Sequence, residues 1–202
     1  ESKGVYDRIL LEKVPSDGDN LHKFIDAMKR GVRVKVGYRK YGSAESKSTM
    51  TLEPYFVKLF KRRWYALVKF PEPNGQLFTL AFDRIVSFEV TEDKYAYDKD
   101  FDPAGWFRNC YGIVRDPDVP MEKVVIRAFG YEANYLRDLP FHPSQKEIAI
   151  EEGYSDFELT LSPTADFWTP LMSRGSAIKI LQPQWLADEI KKLHLEGTHT
   201  GF

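Results

Sequence analysis

The sequence holds one cysteine in 202 residues, Cys110. A lone cysteine makes no internal disulfide and removes every zinc motif built on Cys pairs, so a reducing, cytoplasmic setting is the default. Histidine is nearly as scarce, and His22, His142, His194 and His199 fall in no ligand spacing with a carboxylate. Asp98, Asp100 and Asp102 mimic the start of a calcium loop, but Pro103 stands where the turn glycine belongs and Asn109 where the bidentate glutamate belongs. No metal and no cofactor is therefore expected. No G-x-S-x-G, G-x-G-x-x-G or P-loop occurs, which leaves the common motif routes to hydrolase, dehydrogenase and NTPase empty. Cys110 lies in a helical pattern beside Trp106 and Tyr111, where a buried small hydrophobe is the usual role. The chain reads as a non-enzyme. No apolar run approaches the roughly 18–20 residues of a membrane span, so no membrane role is expected. It starts at Glu1 without a basic, apolar leader, which reads as a piece of a longer protein.

Hydrophobic residues make up 43% and charged residues 29%, enough apolar material for a core and incompatible with wholesale disorder. The net charge of −1 hides a segregation. Residues 29–69 carry twelve Lys/Arg against two acids, Glu45 and Glu53, while the remainder holds 17 basic and 28 acidic residues. A basic stretch of +10 beside an acidic −11 is either a seat for a polyanion or a solvated lysine-rich surface.

Residues 1–18 lack periodicity and end in Pro15-Ser16-Asp17-Gly18, the pattern of a linker or the tail of an upstream element. Asp19 or Asn20 can then cap a helix with Leu21, Phe24, Ile25 and Met28 on one stripe, stopped by Gly31. From Val32 the period changes to two. Val32, Val34, Val36 and Tyr38 alternate with Arg33, Lys35, Gly37 and Arg39, giving one apolar and one cationic face. Residues 50–60 are β-rich, with Pro54 marking an edge or bulge. Trp64, Ala66 and Val68 alternate with Arg63, Tyr65 and Lys69; Asn74-Gly75 supplies a turn; residues 78–82 and 86–90 complete five strands. One helix and five short sequential strands predict a small, strongly bent five-stranded β-barrel over residues 19–98. Asp102-Pro103 predicts a connecting helix to about Tyr111, within a 99–115 link. Residues 116–202 read β-α-β-β-α-β plus a final helix, the ferredoxin-like α/β sandwich order, with Tyr135, Leu136 and Leu139 inward on its first helix. The fold class is α+β.

Two features point to ligand chemistry. Arg33, Lys35 and Arg39 share one side of the first strand, and Arg63, Tyr65 and Lys69 one side of the third. Bases stack on aromatic faces, and arginine forks grip phosphate at two points. Arg84 falls by simple alternation on the apolar side with Phe82 and Val86, where an arginine is costly unless paired. It is turned outward by a bulge at Asp83, held by an acid such as Glu53, or aimed into a ligand cavity.

The run Leu52-Glu53-Pro54-Tyr55, then Arg63-Trp64-Tyr65-Ala66-Leu67, then Phe82-Asp83-Arg84-Ile85 resembles the WYL domain of bacterial transcription regulators. The chain departs from it at Ala66, where the name-giving leucine belongs; the smaller side chain packs less and changes little else. Phe141-His142-Pro143-Ser144-Gln145 and Leu171-Met172-Ser173-Arg174-Gly175 resemble the C-terminal extension that accompanies such domains, so the likeness spans about 19–195. The resemblance implies an Sm- or SH3-like barrel followed by a ferredoxin-like domain. It also implies an effector-sensing role, with operator DNA read by an N-terminal helix-turn-helix upstream of Glu1. The effector it implies is a nucleotide or short single-stranded nucleic acid. On that model the ligand face comprises Arg39, Arg63, Tyr65 and Arg84, with Tyr38 and Arg62 as neighbours, while Trp64 packs in the core. A homodimer is expected, since regulators on two-fold operators pair. The rival readings are a non-signalling single-stranded nucleic-acid-binding module and a dimerisation module.

Overall fold

The computed structural model describes residues 8–9, 18–40 and 47–199. Most of the predicted 1–18 linker therefore lies outside the described residues, as does Glu45. The chain divides into two compact units, Glu1–Phe101 and Asp102–Phe202. Both are mixed α+β, built on antiparallel sheets of five and four strands.

The first unit opens with helix α1 (Gly18–Arg30), whose inward stripe buries Phe24 and Ala27. Gly31 ends it in the left-handed conformation at φ 62°. Strands β1 (Val32–Arg39), β2 (Lys47–Phe60), β3 (Arg63–Lys69), β4 (Leu77–Ala81) and β5 (Ile85–Lys94) follow, with a 3-10 turn, Phe82–Arg84, between the last two. The sheet order is β4-β3-β2-β1-β5. Strand β2 serves both neighbours with different halves: Lys47 to Leu52 pair with β1, and Glu53 to Phe60 pair with β3. The hand-over falls between Leu52 and Glu53, and the register with β3 slips between Pro54 and Phe56, so the proline stands at a bulge within a central strand.

The sheet is open, which corrects the predicted closed barrel. Its edges, β4 and β5, do not pair. The 3-10 turn carries the chain from one edge to the other, and β5 then spends its hydrogen bonds on β1 from Ile85 to Lys94. The five sequential strands are those of the sequence reading; their order in the sheet, and closure, depend on where strands and edges end up, which period-two patterning does not encode.

The core of this unit gathers the inward face of β1 (Val32, Val34, Val36, Tyr38), Leu52, Ala66, Val68, Leu80, Phe82 and Phe24. Trp64 packs against it. Phe24 meets Phe82 edge to face with ring centroids 5.5 Å apart, and a buried phenylalanine of this kind is worth about 3–5 kcal/mol against alanine. Past β5, Tyr55 is ringed by Tyr95, Tyr97 and Phe101. The Tyr95 hydroxyl donates to the Pro54 carbonyl, and burial pushes its phenol well above the ordinary range.

The second unit begins with a short helix, α2 (Pro103–Phe107), which stops four residues before the predicted end. Asp102 occupies its N-cap position without a side-chain cap bond. Cys110 thus lies beyond the helix, buried, in an isolated bridge to Ser162. Next come β6 (Glu122–Phe129), α3 (Tyr131–Asp138), β7 (Lys146–Glu151), β8 (Tyr154–Leu161), α4 (Ala165–Ser173), β9 (Ile178–Gln182) and α5 (Gln184–His199). The sheet order is β7-β8-β6-β9 and every pairing is antiparallel. One face of β6 and β8, through Val124, Ile126, Ala128, Phe157, Leu159 and Leu161, packs against side chains of α3, α4 and α5. On α3 the inward residues are Glu132, Ala133 and Leu136. Tyr135 and Leu139, expected inward, are 62% and 74% exposed. Among the described residues no helix is long and apolar enough to cross a membrane.

Candidate ligand face around the 3-10 turn

The outer face of β1 carries Arg33, Lys35 and Arg39, because Val32, Val34 and Val36 are fully buried on the other side. Arg33 is spent within the unit: its Nε and Nη2 donate to Glu53 Oε1 at 3.2 and 3.0 Å. Glu53 is itself buried, so the pair satisfies a carboxylate that would otherwise be costly. That assignment removes Glu53 as the partner of Arg84.

Arg84 is placed by the turn. A three-residue 3-10 turn breaks the period-two phase of β4, buries Phe82 and swings Arg84 off the apolar side to a half-buried position. Its Nε donates to the Arg39 carbonyl at 2.9 Å, and its guanidinium lies 4.8 Å from the centre of the Tyr38 ring. Tyr38 is anchored in turn, because its buried hydroxyl accepts the Ala81 amide at 3.1 Å. The end of β1 is thereby tied to the end of β4 and to the turn.

Arg63 reaches the same turn from the start of β3. Its Nε donates to Asp83 Oδ1 at 2.8 Å and its Nη2 to Asp83 Oδ2 at 2.6 Å, a two-point fork. The same guanidinium lies 5.8 Å from the centre of the Tyr65 ring, and Tyr65 sits opposite Ala81 in the β3–β4 ladder. Of the six predicted ligand residues, Arg84 lies in the turn, Arg63 and Tyr38 reach it with their side chains, Tyr65 lies beside Arg63, and Arg39 meets it through its backbone carbonyl, its side chain being exposed. The sixth, Arg62, is exposed at the tip of the β2–β3 hairpin beside Lys61. Both tip residues are left-handed, at φ 45° and 63°.

Asp83 belongs to this constellation and was not among the predicted ligand residues. Its signal was present: an acid next to an arginine that alternation placed on the wrong face. Arg39, Lys40 and Arg62 are exposed, so among the described residues the surface is strongly cationic, with the Asp83 carboxylate set into it. Phosphate and stacked-base recognition are within its chemistry. Among the described residues no group of three His, Cys, Asp or Glu could hold a metal.

In the second unit, His142 is a structural anchor. Its Nε2 bonds the Arg108 carbonyl and its Nδ1 the Ser144 hydroxyl, each at 2.8 Å. Ser144 in turn bonds the Thr160 amide and carbonyl of β8. Gln145 closes the same loop on the Phe141 amide and the Leu136 carbonyl.

The model of the WYL domain matches residues 19–90, and that of the WCX domain residues 120–196. No curated protein matches the chain. Among solved structures, it is similar to the proteasome accessory factor B/C (PafBC) of Arthrobacter aurescens. That match has 15% identity and TM-score 0.41, covering 86% of this chain and 26% of the other. It is also similar to a CRISPR Cas-related protein known from a crystal structure. There identity is 16% and TM-score 0.55, covering 90% of this chain and 51% of the other. The second likeness is one of fold. The chain spans about a quarter of the length of one of these proteins and about half of the other.

Proposed function

The chain belongs to the WYL-domain family, a WYL domain followed by a WCX domain, and we propose that it is the effector-sensing region of a bacterial transcription regulator. The effector is a nucleotide or short single-stranded nucleic acid, seated on Arg39, Arg62, Arg63, Tyr65 and Arg84 with Tyr38 beneath. Operator DNA is bound by a separate N-terminal reader. The region is non-catalytic, cytoplasmic and works as a homodimer. Its second unit is read as ferredoxin-like, which the all-antiparallel β7-β8-β6-β9 order supports.

The observation that carries this reading is the gathering of the Arg63 and Arg84 guanidiniums and the Tyr38 and Tyr65 rings, from β1, β3 and the turn, around one short segment, with the exposed Arg39 joined to it through its carbonyl. Phosphates bind the guanidinium forks; Tyr65 stacks on a base or bonds a sugar. Signalling requires that the effector bind two arrangements of the protein with different affinity.

Fluorescence anisotropy of labelled DNA and RNA oligonucleotides, from dinucleotides to ten-mers at two salt concentrations, tests the reading. Binding at micromolar concentration or tighter with a preferred length, lost in Arg63→Ala and Arg84→Ala variants of unchanged circular dichroism, is the expected result. Weak binding indifferent to length and abolished by salt would instead leave a generic basic surface.

A further inference from the structure

We propose that Asp83 occupies the seat of the effector's phosphate: its carboxylate is a built-in competitor that the ligand must displace from Arg63. This rests on the ligand face proposed above and says how that face selects.

The geometry of the pair is that of ligand capture. Arg63 offers Nε and Nη2 side by side, and Asp83 fills both with its two oxygens at 2.8 and 2.6 Å. The two non-bridging oxygens of a phosphate present the same pair of acceptors to the same fork. Water reaches the pair, since the Arg63 side chain is 27% exposed and that of Asp83 39%. A solvent-reached ion pair has small net worth, so exchanging one anion for another is not prevented by the fold.

Asp83 does not depend on Arg63 for its position. Phe82 on one side is buried against Phe24, and Arg84 on the other is tied to the Arg39 carbonyl and stacked on Tyr38. The turn is pinned through both neighbours of Asp83, and a displaced carboxylate stays close by. Tethered so near, it competes at the high effective concentration of an intramolecular group. An anion succeeds only by adding contacts that Asp83 lacks. Stacking on Tyr65 and a second phosphate near Arg39, Arg62 or Arg84 are the contacts this surface offers. The face thereby rejects isolated small anions and selects a phosphate joined to a base. Displacement also removes the link from β3 to the turn, so binding is coupled to the segment that joins β4 to β5.

Asp83→Asn keeps the shape and removes the charge. The probe is a fluorescein-labelled, 5′-phosphorylated thymidine tetranucleotide titrated into the whole chain at low salt, with Arg63→Ala and the double variant alongside. Asp83→Asn is expected to bind about fivefold more tightly, matching the upper worth of a solvent-reached ion pair. Arg63→Ala is expected to bind more weakly, and in that background Asp83→Asn is expected to gain nothing. Asp83→Asn should also acquire affinity for inorganic phosphate as a competitor of the probe. Weaker binding by Asp83→Asn would overturn the proposal, making Asp83 a residue that holds Arg63 in position for the ligand. An equal gain with and without Arg63 would overturn it too, as a mere change of net charge. A wild-type chain and an Asp83→Asn variant that both ignore the probe would sink the ligand face itself, and the proposal with it. Wild-type binding with a weaker Asp83→Asn variant would sink the proposal alone.

Discussion

Lys61 and Arg62 occupy successive left-handed positions, the pattern of a two-residue type I′ hairpin that favours Asn-Gly. Each non-glycine residue held there costs about 1–2 kcal/mol. The one Asn-Gly pair in the β region, Asn74-Gly75, falls instead in a longer link between β3 and β4. There a Cβ on Gly75 would meet the Phe70 carbonyl oxygen at 2.0 Å, so glycine is needed for close approach. Turn chemistry in the sequence thus marked a real turn but missed the tightest one, because two cations stand where a permissive pair would fold more easily. Strain of this kind gathers at functional sites, and here it coincides with the exposed tip of the proposed face. Arg62→Gly is expected to raise stability by about 1 kcal/mol while weakening oligonucleotide binding. Urea melts and the same anisotropy titration check the two halves. A variant that gains stability and keeps its affinity would remove Arg62 from the site. Arg84 teaches a related lesson. Period-two counting put it on the apolar face because counting assumes an unbroken strand, and a 3-10 turn of three residues resets the phase.

At the scale of elements, strands were the most legible because alternating apolar and cationic residues leave one register in which the core is dry. Strand β7 starts and ends where its pattern does, at Lys146 and Glu151. Helix α3 was harder. Its eight residues offer two apolar stripes, and the structure buries Ala133 and Leu136 with Glu132, whose charge is met by Arg174 at 3.3 Å, leaving Tyr135 and Leu139 outside. A buried glutamate answered by an arginine 42 positions away is invisible to a local pattern. The same helix is clamped to β7 by Arg137, whose Nη2 lies 2.6 Å from Glu147 Oε1 and 2.8 Å from the Ser155 hydroxyl. The Arg137 guanidinium holds the Glu147 carboxyl below the ordinary glutamate value, with the Ser155 hydroxyl helping. A carboxyl lowered on folding adds stability above its unfolded value, and loses that contribution as pH falls through the folded one. Glu147→Gln is therefore expected to be slightly less stable than wild type near neutrality, by at most about 1 kcal/mol for so exposed a pair. The difference closes in strong acid. Urea midpoints of both proteins across the acid range check it, and a constant gap would show that the ion pair is not its source.

For the whole molecule, the most informative sequence signal was charge segregation: +10 over residues 29–69 against −11 elsewhere. What it could not supply was which cations are used where, since Arg33 within the stretch is consumed by Glu53, while Arg63 is brought to Asp83 beside Arg84, a cation outside the stretch, only by the turn between β4 and β5. The distinction has a thermodynamic consequence. Single-stranded nucleic acid releases counterions as a protein neutralises its phosphates, and log affinity falls with log salt at about −0.7 per phosphate. A face made of Arg39, Arg62, Arg63 and Arg84 would give a slope of about −3 if all four acted fully. Asp83 remains beside the bound strand as a fixed negative charge and cancels about one of them, so the wild-type slope is expected nearer −2. Asp83→Asn should steepen it and Arg84→Ala flatten it, each by about 0.7. Arg127→Ala in the second unit, where Arg127 is paired with Asp156 at 2.7 Å, should leave it unchanged. Anisotropy titrations over a series of salt concentrations measure all four slopes. A wild-type slope far steeper than −3 would mean that the strand follows the wider basic surface of residues 29–69 and not the cluster around the turn. A slope that Asp83→Asn does not change would mean that the carboxylate stays on Arg63 while the ligand binds elsewhere.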